Sequence, residues 1–447
     1  MWCGKMEEEQ HAFLKNARIC YDAPMAILEI LRTIIPKRLL ETLRPPYHFL
    51  IAYLADVYYG HPSRHMTVVG VTGTKGKSSV TEMVGRIFEA DGKKAVIIST
   101  IHFSIAGKVE RNLLKMTVPG RFLLQKLLRD AVNAGCTHAV IEMSSEGAVQ
   151  FRQRFIDMDA FIFTHLTPEH IESHGSLKKY TDAKIAIGKT LVRSRKRPRI
   201  IVAKKDDSVT TQFFALPVEE KVSFSSADVT DITLSPGGTT FAFKGTEIHS
   251  RLLGAFNVDN MVAATLCAER LGISLHSIKK GLESLTTIPG RMEEITMDQP
   301  FRVFVDYAHT KESLEAVYTA TNTPRICVLG NTGGGRDTWK RPQMARVAEE
   351  ACEHIILTNE DPYDEDPMAI INDMCRGLTH KTPEIILDRK EALRRAFEQG
   401  EKTPGSTVLI TGKGTDPYIM TARGTKIPWD DRETARAVLR EMGYTLS

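Results

Sequence analysis

The sequence predicts an α/β protein. A central, mostly parallel sheet of the phosphate-loop ATPase type is followed by a C-terminal Rossmann-like domain and preceded by a short helical segment. Three observations carry this. Short apolar runs recur from residue 67 to residue 411, too short for helices and bounded by turn residues. Helical stretches separate them, the alternation of parallel strands with crossover helices. The first run leads into a glycine-rich turn and then a helix. The chain has 447 residues, which at about 100–200 residues per domain gives two to four domains.

Residues 1–64 read as helical, with apolar residues at helical spacing over 24–35 and 47–59; Pro36 and Pro45-Pro46 break the pattern into pieces. Such helices either make weak contact with a membrane surface or cap the next domain, and the cap is the simpler reading. The 47–59 run is interrupted by Asp56 and falls short of the about 20 residues that cross a bilayer. The first ten residues are acidic and lack an apolar signal core. Strands are expected at 67–71, 95–99, 138–143, 160–164 and 199–203, with helices at 77–90 and 257–271. Residues 222–251 alternate polar and apolar around Gly237-Gly238, which predicts antiparallel hairpins. A second series follows at 303–306, 326–330, 354–358, 384–388 and 407–411, a Rossmann-like sheet. The boundary falls between Arg291 and Pro300, dividing the chain into 1–64, 65–295 and 296–447.

Hydrophobic residues at 42% and charged residues at 26% exclude a disordered or collagen-like chain. With 59 Lys and Arg against 55 Asp and Glu, bulk charge gives no ground for a nucleic-acid partner. The basic run at 193–199 reads as a solvated loop. The cysteines (3, 20, 136, 267, 327, 352 and 375) are odd in number and scattered without metal-ligand spacing. They read as reduced thiols in a cytoplasmic protein.

The strongest chemical signal is Gly70-Val-Thr-Gly73-Thr74-Lys75-Gly76-Lys77-Ser78-Ser79, between the first strand and its helix. Glycines let backbone N–H groups turn onto a phosphate, and the helix N-terminus adds its positive dipole end. Lys77 neutralises phosphate charge, and the Ser78 hydroxyl is a ligand for Mg²⁺. Val71 stands where the strict pattern has its first glycine. Glu142, ending an apolar strand in the same sheet, offers the carboxylate oxygens that Mg²⁺ prefers.

This variant loop resembles that of the Mur ligase superfamily, and seven further elements follow in the family's order. They are Ile141-Glu142-Met-Ser144-Ser145, Thr164-His165-Leu-Thr-Pro-Glu169-His170, His174-Gly-Ser-Leu-Lys-Lys-Tyr180-Thr-Asp-Ala-Lys184 and Leu253-Gly254-Ala-Phe-Asn257-Val-Asp-Asn260. Gly290-Arg291-Met-Glu293 with Asp306-Tyr-Ala-His309-Thr310, then Gly334-Gly-Arg336-Asp337-Thr-Trp-Lys340-Arg341-Pro342, and finally Gly412-Lys413-Gly414 complete the series. The later elements look most like the MurE-type branch. The resemblance implies an amide ligase that spends ATP, with Mg²⁺, to turn a carboxylate into an acyl phosphate that an amine attacks. It implies Lys77, Glu142, His170 and Lys184 as catalytic residues, with Ser78, Glu142, His170 and a carbamylated Lys184 around the metal. Asn257, Arg291, Asp306 and His309 would hold the nucleotide.

The resemblance also implies the substrates. Thr117, Ser144 and Arg152 would meet a muramoyl-peptide-type carboxylate, UDP-linked or similarly carried, with Arg154 an alternative to Arg152. Arg336, Asp361, Gly412 and Asp416 would meet the incoming amino acid. Tyr363 replaces the family's arginine for a distal carboxylate, Asp361 stands at an asparagine position, and Thr415 and Asp416 replace His and Glu. Losing a cation while gaining carboxylates leans toward a lysine-like diamino acid over diaminopimelate. Glu146 replaces the histidine usual after the paired serines. About 64 mostly helical residues precede the loop, where a MurE-type uridine-binding domain is longer and strand-rich. Two other readings remain: a folylpolyglutamate- or poly-amino-acid-type ligase, and a nucleotide-binding scaffold without turnover. A monomer is expected.

Overall fold

A computed structural model describes residues 37–169 and 171–445; the helix expected at 24–35, Cys3, Cys20 and His170 lie outside the described residues. The first sheet contains β1 (Thr67–Thr72), β2 (Ala95–Ile98), β3 (His102–Ile105), β4 (Lys108–Arg111), β5 (His138–Glu142), β6 (Ala160–Phe163), β7 (Ile200–Lys204) and β8 (Glu220–Phe224). Their order is β4-β3-β2-β5-β1-β6-β7-β8. All neighbours are parallel except the β2/β3 and β3/β4 pairs, which form an antiparallel edge. β1 is buried along both faces, as a central parallel strand requires. It lies where the strand order reverses, and ligands bind such sheets at the carboxyl ends of strands beside that point.

The helix Lys77–Ala90 begins where the sequence places it. Val80, Met83, Val84, Ile87 and Phe88 follow helical spacing and are fully buried against the sheet. Ala255–Arg270 and Leu275–Ser284 cover the same face. A small antiparallel sheet, β9 (Thr230–Ser235), β10 (Gly238–Phe243) and β11 (Thr246–Ser250), turns at Gly237-Gly238 as expected. Residues 222–224 depart from the hairpin reading: they belong to β8, which pairs parallel with β7. Local alternation marks a half-buried strand but does not name its partner.

The second sheet contains β12 (Glu293–Glu294), β13 (Arg302–Val305), β14 (Arg325–Leu329), β15 (His354–Leu357), β16 (Glu384–Ile385) and β17 (Thr407–Ile410). The order is β12-β13-β17-β14-β15-β16, parallel except for β12. β16 is shorter than the expected 384–388 and exposed, because it is the sheet's edge.

Two further expectations are corrected. Residues 37–58 form one helix with Pro45 and Pro46 inside it. Residues 42–47 are exposed, so water can take the carbonyls that the prolines leave without N–H partners. The helix packs on Arg121–Asn133, with Ala52 and Ala55 buried, as a cap would. Not all cysteines are reduced: Cys327 in β14 and Cys352, following the helix Lys340–Ala351, form a disulfide with Cα atoms 6.0 Å apart. The helix returns antiparallel to its strand and so brings together residues 25 apart in sequence. Cys136, Cys267 and Cys375 are free thiols. No helix among the described residues is long and apolar enough to cross a membrane.

Beneath the first sheet's active edge, burial pushes the Glu82 carboxyl up to about 7, with the Ser99 hydroxyl 3.3 Å away opposing the shift. The folded chain thus keeps a proton that the unfolded chain releases near 4.5. Stability therefore falls as pH rises from 4.5 to about 7. Glu82→Gln should flatten this slope and melt several degrees above the parent at pH 8 but not at pH 5. Parallel melting profiles across that range would contradict the assignment.

Candidate active site

The carboxyl ends of the two parallel sheets face one another across a cavity of about 1060 Å³. That is the top of the size range for single small-molecule sites. Every site residue expected from the sequence lines it except His170, which is not described, and Arg154, the alternative to Arg152.

At the first sheet's edge, residues 73–76 turn from β1 into the helix Lys77–Ala90. Gly73 has φ +152°, and a Cβ there would lie 1.8 Å from Thr164 Oγ1. Thr164 cannot yield, because its hydroxyl donates to the Lys75 carbonyl at 2.6 Å. Gly76 has φ +80°, and its Cβ would press on Asn260 Oδ1 at 2.4 Å. Both positions demand glycine. Lys77 Nζ donates to the Thr74 carbonyl at 2.8 Å, and Lys184 Nζ to the Gly73 carbonyl at 2.6 Å. Lys184 is buried and Lys77 half-buried. Burial lowers the pKa of each, that of Lys184 well below the ordinary lysine value. Tyr180 supports them: its ring lies 4.5 Å from Lys184 Nζ and its hydroxyl 2.9 Å from Thr74 Oγ1.

Glu142, the last residue of β5, accepts from Ser78 Oγ at 3.1 Å on both carboxylate oxygens and from the Thr100 N–H at 2.7 Å. Arg291 Nη2 donates to the same Ser78 hydroxyl at 3.3 Å. Asn257 donates to the Leu253 carbonyl and accepts from Asn260. Asp306, just past β13, accepts from the Met292 and Ala308 N–H groups, each at 2.7 Å. Burial raises its pKa, opposed by Arg291 and those N–H groups. His309 Nε2 lies 2.6 Å from Glu169 Oε1, which also takes Lys75 Nζ at 3.1 Å. Burial and Lys75 push the His309 pKa down to about 3 against the pull of Glu169, favouring the neutral ring.

Facing the phosphate loop, Asp361 binds Lys413 Nζ at 2.8 Å, Lys115 Nζ at 2.5 Å and the Met420 N–H at 2.8 Å. Burial opposes ionisation, yet Lys413 and Lys115 hold its carboxyl below the ordinary value. Asp416 lies 3.4 Å from Lys413 and 3.5 Å from Lys115. Lys115 and Tyr363 both have left-handed backbones, φ 52° and 53°. The amine of Lys115 sits 5.7 Å from the Tyr363 ring centroid, and Arg336 lies 5.8 Å from the same ring. Such strain gathers at functional sites. Glu360 has one oxygen on Thr332 Oγ1 at 2.7 Å, while Oε2 is buried without a hydrogen-bond partner, over Gly412. At the acceptor end, Thr117 Oγ1 accepts from Thr100 at 3.0 Å, and Ser144 caps the helix Ser145–Val149. Arg152 binds Gln150 Oε1 at 2.8 Å and the Val118 carbonyl. Arg154 is not on the cavity but over the Phe49 ring.

Sequence reasoning missed Lys115, Lys413 and Glu360 as site members. Glu360-Asp361 was visible as an acid pair, but Lys115 is 246 residues from Asp361 and only the fold joins them.

A phosphate-cradling loop opposite a cluster able to hold an amino acid defines a carboxylate–amine ligase that runs on a nucleoside triphosphate. A sequence profile for the Mur ligase middle domain matches residues 71–268, and one for the Mur ligase glutamate ligase domain matches residues 290–414. The chain is 33% identical over 403 residues to UDP-N-acetylmuramoyl-L-alanyl-D-glutamate--2,6-diaminopimelate ligase of Halalkalibacterium halodurans, covering 88% of this chain and 82% of the relative. The Bacillus cereus enzyme of that name is 33% identical over 404 residues, covering 87% and 81%. A solved ligase structure of the same name matches with a TM-score of 0.57 and 28% identity over 85% of this chain and 79% of that one. Mycobacterium tuberculosis folylpolyglutamate synthase shares the fold, with a TM-score of 0.71, 16% identity and coverage of 92% and 98%. The chain belongs to the Mur ligase family and is, with that family, an ATP-dependent amide-forming enzyme.

Gly73→Ala should weaken ATP binding at least tenfold while shifting the melting temperature little, read by nucleotide titration and thermal melts. Unchanged ATP affinity would contradict the tight cradle.

Proposed function

We propose that this enzyme joins a diamino acid to the free carboxylate of a diphosphate-linked muramoyl dipeptide, with residues 65–295 transferring the phosphoryl group and 296–447 holding the amino acid. The observation that carries this is the single cavity in which the phosphate loop, Arg152 and the Arg336–Asp361–Asp416 cluster meet. The acceptor carboxylate attacks the γ-phosphorus of ATP, the β–γ bridging P–O bond breaks, and ADP leaves. The amine, having lost one proton, attacks the acyl carbon. Phosphate departs with one former carboxylate oxygen, and the new amide nitrogen sheds a second proton. Lys77 stays close to the phosphates throughout, since positioned cations are the main requirement of phosphoryl transfer.

The hydroxyl of Ser78 and the two oxygens of Glu142 fit Mg²⁺, a hard cation that also keeps waters and phosphate oxygens in its shell. Bound there, Mg²⁺ would neutralise charge on the transferring group. Lys184 supports a carbamate reading: its lowered pKa favours the neutral amine, which bonds to CO₂ with loss of one proton and becomes an anion. His170 belongs to this proposal by family resemblance alone, while Asn257, Arg291, Asp306 and His309 are placed to hold the nucleotide.

The amino-acid end supports a diamino acid. Arg336 suits an α-carboxylate. Glu360 Oε2, buried and unpartnered, suits an ammonium group. The lean toward lysine rests on surplus acid, yet Lys115 and Lys413 offset Asp361 and Asp416. With no surplus acid left, the ground for lysine falls away; Lys115 lies beside Tyr363, and 2,6-diaminopimelate, named in the relatives, becomes the favoured substrate.

Phosphate release across amino acids and acceptors tests the whole reading. It should require a muramoyl-dipeptide acceptor together with a diamino acid; release with folate- or polyglutamate-type acceptors instead would overturn it. Lys77→Ala should abolish turnover, a loss of several kcal/mol of transition-state stabilisation by one cation. Lys184→Ala should lose activity and regain part of it with formate or acetate; absence of rescue would refute the carbamate. Lys115→Met should raise KM for diaminopimelate more than for lysine, and equal rises would refute its part in selectivity.

A further inference from the structure

The helix Lys37–Tyr58 packs on Arg121–Asn133 with one face and leaves the other bare. Ala52 and Ala55 point inward and are buried. On the opposite side Leu43, Tyr47, Leu50, Leu54 and Val57, spaced by four and three residues, form an exposed stripe, and Tyr58 at its end is 76% exposed. Phe49 and Tyr53 flank the stripe and lean on Phe155, with ring centroids 5.1 and 5.5 Å apart, and Phe122 extends it past Tyr58. Between residues 42 and 60 the one exposed charge is Arg44, and Asp56 is buried against His61. An apolar surface this continuous is rare on a protein that meets only water.

The margin of the stripe is cationic. The Arg154 guanidinium lies 5.3 Å from the Phe49 ring centroid and 5.9 Å from that of Phe155. Burial lowers the Arg154 pKa, and Arg193 is near enough to lower it further. Arg193 opens the basic run 193–199, in which Arg193, Arg195 and Arg197 are exposed. Asp157 fixes that run beside the end of the helix, accepting from the Arg195 N–H at 3.1 Å and from Arg64 Nε at 3.1 Å. The acids at hand are paired, Asp157 with Arg64 and Glu219 with Arg197 at 3.2 Å and Arg199 at 2.8 Å.

We propose that this face docks on the surface of a lipid bilayer carrying anionic headgroups, with the helix lying in the interfacial plane. Aromatic and aliphatic groups enter the acyl boundary while arginines at the margin meet phosphates, the arrangement that holds amphipathic helices on such a surface. Tyrosines, apolar in body and polar at the tip, suit that boundary. The helix is not long and apolar enough to cross. A second copy of the chain fits the face less well. A two-fold contact sets a patch against itself, and this one brings cationic margins together with no exposed acid between residues 42 and 60 to meet them. Arg152, which lines the cavity, is two residues from Arg154, so docking holds the acceptor end of the cavity beside the lipid. The proposal is independent of which acceptor the enzyme uses.

Co-sedimentation of the full chain tests it, with vesicles of phosphatidylcholine alone or mixed equally with phosphatidylglycerol. The chain should sediment with the mixed vesicles, far less with phosphatidylcholine, and be released by salt. Leu50→Glu with Leu54→Glu should abolish sedimentation. Arg193→Glu with Arg195→Glu should weaken it roughly tenfold or more, each basic residue near an anionic surface being worth about fivefold. Neither pair should change the melting temperature or the turnover of soluble substrates. Tyr58→Trp should add fluorescence that acyl-brominated lipid quenches. Sedimentation that is absent, or equal on the two vesicle types, overturns the proposal, as does unquenched Tyr58→Trp. A vesicle-independent dimer that Leu50→Glu with Leu54→Glu dissociates overturns it too, and gives the face to a second copy.

Discussion

The structure depends on two lysine amines drawn into the turn of one loop. Lys77, half-buried, and Lys184, buried, meet at the turn between β1 and its helix, and each is bent back onto a carbonyl of that turn. Burial works against both ammonium groups, and Glu142 and Glu169 offset it only in part. A loop that ends on Lys77 at a helix N-terminus suits an anion. Its tight geometry follows from the same need: Gly73 and Gly76 bring backbone against Thr164 and Asn260 so closely that no side chain fits.

The second half of the chain completes the site by facing the first. His309 reaches Glu169, Arg291 reaches Ser78, Lys115 reaches Asp361, and Arg111 reaches Asp430 at 2.8 Å. These contacts cross between the carboxyl edges of the two sheets. Each sheet uses the general property of parallel strands, that loops at their carboxyl ends gather to bind ligands. Opposed, the edges place the phosphate loop on one wall of the cavity and the Arg336–Asp361–Asp416 cluster on the other. Bringing reactants together in this way is itself a large part of such catalysis.

Much of this was legible in the sequence because its signals are local. The phosphate loop is one contiguous run, the helix at 77–90 follows a single buried stripe, and the motif residues that line the cavity sit at strand ends that apolar runs mark. What stayed hidden depends on contacts distant in sequence. The Lys115–Asp361 pair spans 246 residues, and it offsets the acid that the local sequence shows at the amino-acid end. The Cys327–Cys352 bond depends on how a helix returns along its strand. The 222–224 stretch took a parallel partner that periodicity does not specify, and Pro45-Pro46 stayed helical because that turn faces solvent.

The central claim is that the acceptor carboxylate itself attacks the γ-phosphorus in this cavity. The most direct measurement uses an acceptor with ¹⁸O at both oxygens of that carboxylate, run to completion with ATP and diaminopimelate. Mass analysis of the products should find one ¹⁸O in each inorganic phosphate released and none in ADP. Phosphate free of label, or label appearing in a nucleotide product, would contradict the account.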